Sequence, residues 1–161
     1  MLCDACRNRV RKARIPLNKN YKMEPHNYNV DLVWKSDRKG EVFSPELNDR
    51  IEVATPPQFP KGIEGVWSPE HFFTAAVNSC FMTTFLAIAE NSKLNFTSFA
   101  CSAKGVLEQI EGKFLMSEVH LYPKVELAEG EESAKLERIL EKSEKACLIS
   151  NSVVSKVILH V

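Results

Sequence analysis

The stretch from Phe72 to Ala89 runs for 18 residues without a charge, and it opens one residue after Ser68-Pro69-Glu70. Serine is a favoured helix N-cap, proline is preorganised for the first helical position, and an acid in the first turn meets the positive end of the helix dipole. Neither glycine nor proline occurs from Glu70 to Lys104, so a helix started here is expected to run to about Ser92. The face carrying Phe73, Val77, Cys80, Phe81, Phe85 and Ile88 is apolar, and the opposite side is nearly as free of charge. A helix of that kind is surrounded by protein on most sides. Thr74, Asn78, Ser79, Thr83 and Thr84 make it a poor bilayer span, which needs about 20 mostly apolar residues. The expectation is a core helix and no membrane partner.

The rest of the chain reads as elements packed on that helix. With 161 residues, 44% of them apolar, it is long enough for one domain with a core of its own. His26–Trp34 alternates at strand period, Arg38-Lys39-Gly40 supplies a turn, and Glu41–Ser44 and Arg50–Ala54 continue as a meander of short strands. Thr55–Val66, with three prolines and two glycines, is a loop. Phe96–Leu107 and Phe114–Leu127 form a hairpin turning at Glu111-Gly112. Glu131–Cys147 returns to helical period, with Cys147 in phase with its apolar stripe, and Val153–Val161 ends the chain as a strand. The fold class expected is α+β.

Charge separates an arm from this body. Residues 1–22 hold seven basic residues against one acid, leaving 14 basic and 20 acidic residues for the remainder. The first 22 residues also lack hydrophobic periodicity, so residues 1–24 are expected to be a basic arm and residues 25–161 the domain. A mildly acidic body argues against nucleic acid as a partner, and a nucleic-acid function would have to reside in the arm and show salt-sensitive binding. The five cysteines are an odd number, and no segment has the layout of a secretory leader, so a cytoplasmic protein with reduced thiols is expected. Cys3 and Cys6 form a single CxxC, half of a tetrahedral zinc site, and no metal site or cofactor is expected.

Cys80 and Cys147 each read, taken singly, as small buried hydrophobes. Spacing leaves open whether they face one another. Ser68-Pro69-Glu70-His71-Phe72-Phe73, continuing through Ala75-Ala76 to Ser79-Cys80-Phe81, together with Lys145-Ala146-Cys147-Leu148-Ile149-Ser150, resembles the OsmC/Ohr family of thiol peroxidases over residues 28–161. The resemblance implies an intertwined homodimer with antiparallel sheets around a buried central helix. It implies Cys80 as the peroxidatic residue, Cys147 as the resolving one, Glu70 as an assisting acid, and an assisting arginine, with organic hydroperoxides as substrates and a lipoyl-type or other small dithiol as reductant. The residue after the second cysteine is Leu148, where many members carry proline.

Physical chemistry supplies the reason for the arginine. Cys80 lies roughly 15 Å from the start of its helix, beyond useful reach of the dipole, and a cysteine attacks as its thiolate, so a cation must come from elsewhere. Arg38, in the Asp37-Arg38-Lys39-Gly40 turn, ranks first by resemblance, ahead of Arg50 and Lys61. Glu70 and Cys80 are ten positions apart, about 15 Å along one helix, which exceeds the reach of a Glu side chain. If both act at one site they come from different chains, as two antiparallel helices across a two-fold axis would allow. Phe72, Phe73, Phe81 and Phe85 offer an apolar lining that would suit an alkyl or lipid hydroperoxide, although phenylalanines on a core helix are more often simply core. The competing reading is a redox-sensing or apolar-ligand-binding protein on the same scaffold, without turnover.

Overall fold

The computed structural model describes residues 24–161, so the expected basic arm, Cys3 and Cys6 included, lies outside them except for Glu24. In order the elements are β1 (Asp31–Ser36), β2 (Lys39–Phe43), β3 (Arg50–Ala54), α1 (Pro69–Asn91), β4 (Phe96–Ile110), β5 (Lys113–Leu127), α2 (Ser133–Ala146), a 3-10 turn (Ser150–Ser152) and β6 (Lys156–Leu159). This is the α+β order expected from the sequence. Two three-stranded sheets result, β1-β2-β3 and β4-β5-β6.

Antiparallel pairing throughout was the expectation, and the second sheet corrects it. β6 runs parallel to β5, from Glu118 opposite Lys156 to Leu121 opposite Leu159. The cause is α2, which carries the chain back across the sheet; strands joined by a helical crossover pair in parallel. The first strand is also shorter than its alternation predicts. Its partner β2 ends at Phe43, which pairs with Asp31, so residues 26–30 have no strand to bond to. The alternating apolar set Tyr28, Val30, Leu32 and Trp34 stays exposed, Tyr28 by 86% and Trp34 by 72%.

The hairpin β4–β5 turns where its sequence says it should. Ile110 pairs with Lys113, and the two residues between them, Glu111 (φ 49°) and Gly112 (φ 80°), both take the left-handed backbone that a tight two-residue turn requires. The inner faces of these strands meet α1. Val77, Phe81, Phe85 and Ala89 form a fully buried stripe against Val119 and Leu121 of β5, with Phe96, Phe99, Cys101 and Ala103 of β4 packed alongside. Phe85 stacks on Phe99 at 4.7 Å between ring centroids. Burial of each large side chain stabilises the fold by about 1.5–3 kcal/mol. α2 closes the other side with Ile139 and Leu140.

The Ser68 cap forms as expected, but His71 completes it: the Ser68 N–H donates to His71 Nδ1 at 3.2 Å while the Ser68 side chain accepts from the His71 N–H. α1 is not enclosed on most sides within this chain. Ala76, Ser79, Met82, Thr83, Leu86 and Ala87 form an exposed, uncharged strip along it. The helix is long and apolar enough to cross a membrane by length and composition alone, yet its core stripe is committed to the sheet.

Gly105 of β4 marks the tightest approach of sheet to helix. A Cβ there would overlap the Thr74 hydroxyl and the Met116 methyl group. Thr74 is not free to swing aside, because its hydroxyl donates to the Glu70 carbonyl at 2.9 Å. Gly105→Ala is expected to destabilise the fold by about 1–3 kcal/mol through overpacking, as read by denaturant unfolding.

Candidate active site

α1 carries Cys80 at its middle, on the side that faces the end of α2. α2 stops at Ala146, so Cys147 is the capping residue just beyond the helix, with extended backbone, and not a member of its stripe as the periodicity implied. Ending the helix there turns the chain sharply. The Cys147 carbonyl accepts from the Asn151 N–H at 3.0 Å, and the turn so formed presents its leading N–H groups toward α1. The Ile149 N–H donates to the Cys80 sulfur at 3.4 Å. Cys147 itself is fully buried, and its thiol lies close enough to Cys80 for each to shift the acidity of the other. The two thiols whose relation spacing left open do face each other.

Their environments push them apart in acidity. Burial is the largest influence on Cys80 and disfavours its thiolate, but the Ile149 N–H, the Cys147 thiol, the Thr84 hydroxyl and the Leu148 N–H together outweigh it and hold the group below the ordinary thiol range. Burial pushes the Cys147 thiol up, reinforced by its neighbour Cys80 and opposed by the hydroxyl and N–H of Ser150. Cys101, the remaining thiol among the described residues, is also pushed up by burial. Of the two neighbouring thiols, Cys80 is thus the more readily ionised and Cys147 the less. Thr84 was missed in the sequence, although it lies four residues after Cys80 and therefore on the same helix face.

Glu70 and Arg38 lie in a different place. Glu70 is in the first turn of α1, and Arg38 is in the β1–β2 turn; both border a hollow of about 530 Å³ that also meets Trp34, Val53 and Phe59. No ion pair joins them within the chain, and the Glu70 Oε2 is buried without a hydrogen-bond partner. Arg50 is committed elsewhere: it donates to Glu41 at 2.7 Å and lies over the Phe43 ring at 4.0 Å. Lys61 is exposed in the proline-rich loop. Of the three candidate cations, Arg38 is the one that shares a cavity with Glu70.

A larger cleft of about 940 Å³ opens on the other side of Glu70, between α1 and the β4–β5 hairpin. Its apolar walls are Phe59, Trp67, Leu107, Phe114 and Met116, with Phe59 edge-on to Phe114 at 5.3 Å. Of the two readings of Phe72, Phe73, Phe81 and Phe85, lining or core, the structure favours the core. Phe81 and Phe85 are fully buried in the core, Phe73 packs against it, and Phe72 stacks on Trp67 at 5.4 Å. Phenylalanines on a helix that supplies the core are used up by the core. The readable signal was Phe59, an aromatic between prolines in a polar loop. Cys80 does not border either cavity.

A two-helix, two-sheet α+β scaffold that pairs a mid-helix thiol with one at the end of the second helix defines a narrow class of protein. A family model for OsmC-like proteins matches residues 62–160, and the chain belongs to that family. The uncharacterized protein YmaD of Bacillus subtilis is 24% identical over 139 residues, covering 81% of this chain and 89% of its own. Among solved structures, an OsmC-like protein of unknown function from Vibrio cholerae aligns with a TM-score of 0.76 at 24% identity, over 84% of this chain and 99% of that one. The organic hydroperoxide resistance protein OhrB of Bacillus subtilis aligns with a TM-score of 0.64 at 17% identity, over 84% and 97%. At these identities the structural likeness establishes the fold.

Proposed function

We propose that this protein is a cysteine-based peroxidase that reduces organic hydroperoxides to alcohols, acting as a two-fold homodimer in the cytoplasm with no bound cofactor. The observation that carries the reading is the meeting of Cys80 with the turn that Cys147 opens, where the Ile149 N–H donates to the Cys80 sulfur at 3.4 Å and the two thiols are pushed in opposite directions, Cys80 down and Cys147 up. The Cys80 thiolate attacks the distal peroxide oxygen; the O–O bond breaks, the alkoxide leaves as alcohol after taking a proton, and Cys80 becomes a sulfenic acid. Cys147 condenses with it, forming the Cys80–Cys147 disulfide and releasing water. A dithiol of lipoyl type or another small dithiol then reduces the disulfide by two exchange steps and leaves as its own cyclic disulfide.

The separation of the two halves of the site supports the homodimer. Glu70 borders both the larger cleft with its apolar walls and the smaller hollow that holds Arg38, and neither contains a thiol; Cys80 has its thiol partner but borders neither cavity. Glu70 and Cys80 stand about 15 Å apart along α1. In a two-fold dimer with the α1 helices antiparallel, the exposed strip from Ala76 to Ala87 is covered, and each cleft receives the partner's Cys80. In this reading Arg38 polarises the incoming peroxide beside the thiolate, and Glu70, whose free oxygen needs a donor, orients the guanidinium. Dimerisation also covers Tyr28, Leu32 and Trp34, which one chain leaves in water.

The test is to treat reduced protein with one equivalent of cumene hydroperoxide and map the product by peptide mass. A Cys80–Cys147 disulfide is expected, and it is expected to be absent in Cys80→Ser and Cys147→Ser. Both thiols staying free while the peroxide persists would overturn the reading.

A further inference from the structure

Alternation along β5 buries Val119 and Leu121 in the core beneath α1 and turns Glu118, His120 and Tyr122 to the other face of the sheet. The parallel register of β6 sets Lys156 beside Glu118 and Ile158 beside His120, and the His160 N–H continues the ladder by donating to the Leu121 carbonyl at 2.9 Å. His160 is thereby carried to Tyr122, and the two rings stack at 4.4 Å between centroids. Two histidines 40 positions apart meet on this face, with His120 Nδ1 lying 2.9 Å from His160 Nε2. The other ring nitrogen of His120, Nε2, lies 3.0 Å from the Glu118 carboxylate. A carboxylate only accepts, so the neutral His120 ring carries its hydrogen on Nε2 and presents the lone pair of Nδ1 to His160. Metal-binding histidines are held in the same way, the second nitrogen donating to a carboxylate that fixes tautomer and ring direction. The separation of the two rings adds a geometric constraint. Two imidazole nitrogens bound to one ion at about 2.0–2.1 Å lie about 2.9 Å apart at a right angle and about 3.3 Å apart at the tetrahedral angle. The observed spacing matches the right angle, which tetragonal ions with nitrogen and oxygen ligands adopt.

We propose that His120 Nδ1 and His160 Nε2 form a two-nitrogen site for a tetragonal divalent transition-metal ion of the Ni(II) or Cu(II) type, with Glu118 orienting His120 from behind. On binding, His160 moves its ring hydrogen to Nδ1, which frees Nε2 to ligate in place of the hydrogen bond between the rings. Among the described residues no group of three or more His, Cys, Asp or Glu side chains is placed to hold an ion, so water fills the remaining positions. The His120 side chain is 19% exposed and His160 is at the surface, which leaves the ion open to solvent on one side. Lys104, opposite His120 on β4, and Lys156, opposite Glu118 on β6, are the cations on this face, and their flexible stems let the ammonium groups turn into water. Cys80 is carried by α1 on the opposite side of the sheet, so the site takes no part in the thiol chemistry and the inference stands apart from the peroxidase reading.

The experiment adds Ni(II) to the reduced, untagged full chain and follows the ring signals of its four histidines, His26, His71, His120 and His160, by NMR. Ni(II) in a tetragonal field with water ligands is paramagnetic and broadens the rings it binds, and unlike Cu(II) it leaves thiols reduced. Below one equivalent, His120 and His160 are expected to broaden together while His26 and His71 stay sharp. His160→Ala is expected to raise the Ni(II) concentration that broadens His120 by about 100-fold, the loss of a second ligand held in place. Glu118→Gln, which keeps an acceptor for Nε2–H but loses the charge, is expected to raise it by about 10-fold. His26→Ala is expected to change nothing. Broadening of all four rings in parallel would overturn the inference, as would broadening confined to one member of the pair or a His160→Ala midpoint equal to the native one. Ni(II) held by the cysteines alone, with every ring left sharp, would overturn it too. The first readout uses the native chain and therefore stands even where a variant fails to fold.

Discussion

Cys80→Ser is expected to lower cumene hydroperoxide reduction by about 10⁴–10⁶-fold, the scale on which loss of a covalent nucleophile acts. A serine hydroxyl in the same place would meet the same donors, but it ionises far above any working pH and cannot carry the transferred oxygen. Cys147→Ser is expected to behave differently. It should consume one equivalent of peroxide at close to the native rate and then stall, with Cys80 trapped as a sulfenic acid that dimedone labels. The native chain, with Cys147 in contact, should yield almost no dimedone adduct. The acidity order adds a pH signature. Because Cys80 sits below the ordinary thiol range while Cys147 and Cys101 are pushed above it, a limiting amount of iodoacetamide at pH 7 should label Cys80 alone. As the pH rises toward 9 and beyond, the selectivity should fade, since the other two thiols then ionise. Equal loss of turnover in Cys80→Ser and Cys101→Ser would place the chemistry elsewhere.

How much of this was legible in the sequence depended on which residues answered to local rules and which to the fold. Ser68-Pro69-Glu70 and the gap in glycine and proline fixed α1 to within a residue or two, because capping and propensity act locally. Glu111-Gly112 likewise set the hairpin turn. The parallel pairing of β6 follows from the α2 crossover, which brings the chain back along β5 in the same direction, and element order alone does not state it. Cys147 was put on the face of α2, since periodicity continues past the point where the backbone leaves the helix. The contact of Cys80 with Cys147 joins residues 67 apart, and only packing of α2 on α1 creates it. A backbone donor such as the Ile149 N–H is invisible to any reading of side-chain types. Arg38 ranked first by resemblance, and it borders a cavity that Glu70 also borders.

The second large effect concerns where the two halves of the site come from. Glu70→Gln keeps the shape of the side chain and removes its charge, and it is expected to retain about 1–10% of native turnover, the cost of one charge-assisted hydrogen bond. Cys80→Ser retains none. If each site is built from Glu70 and Arg38 of one subunit and Cys80 and Cys147 of the other, a heterodimer of these two variants holds one site with both defects and one with neither. Equal amounts of the two chains, unfolded and refolded together, give about half heterodimers by random pairing, each with one intact site of two. The mixture should therefore recover about one quarter of native activity, above either parent. A site contained within one chain predicts otherwise, because every site in the heterodimer would carry one defect and the mixture would fall between its parents. Mixing each variant with the native chain controls for subunit exchange. The 15 Å that α1 puts between Glu70 and Cys80 leaves one subunit too short-armed to bring both to one peroxide, and the regained quarter is the quantity that measures this.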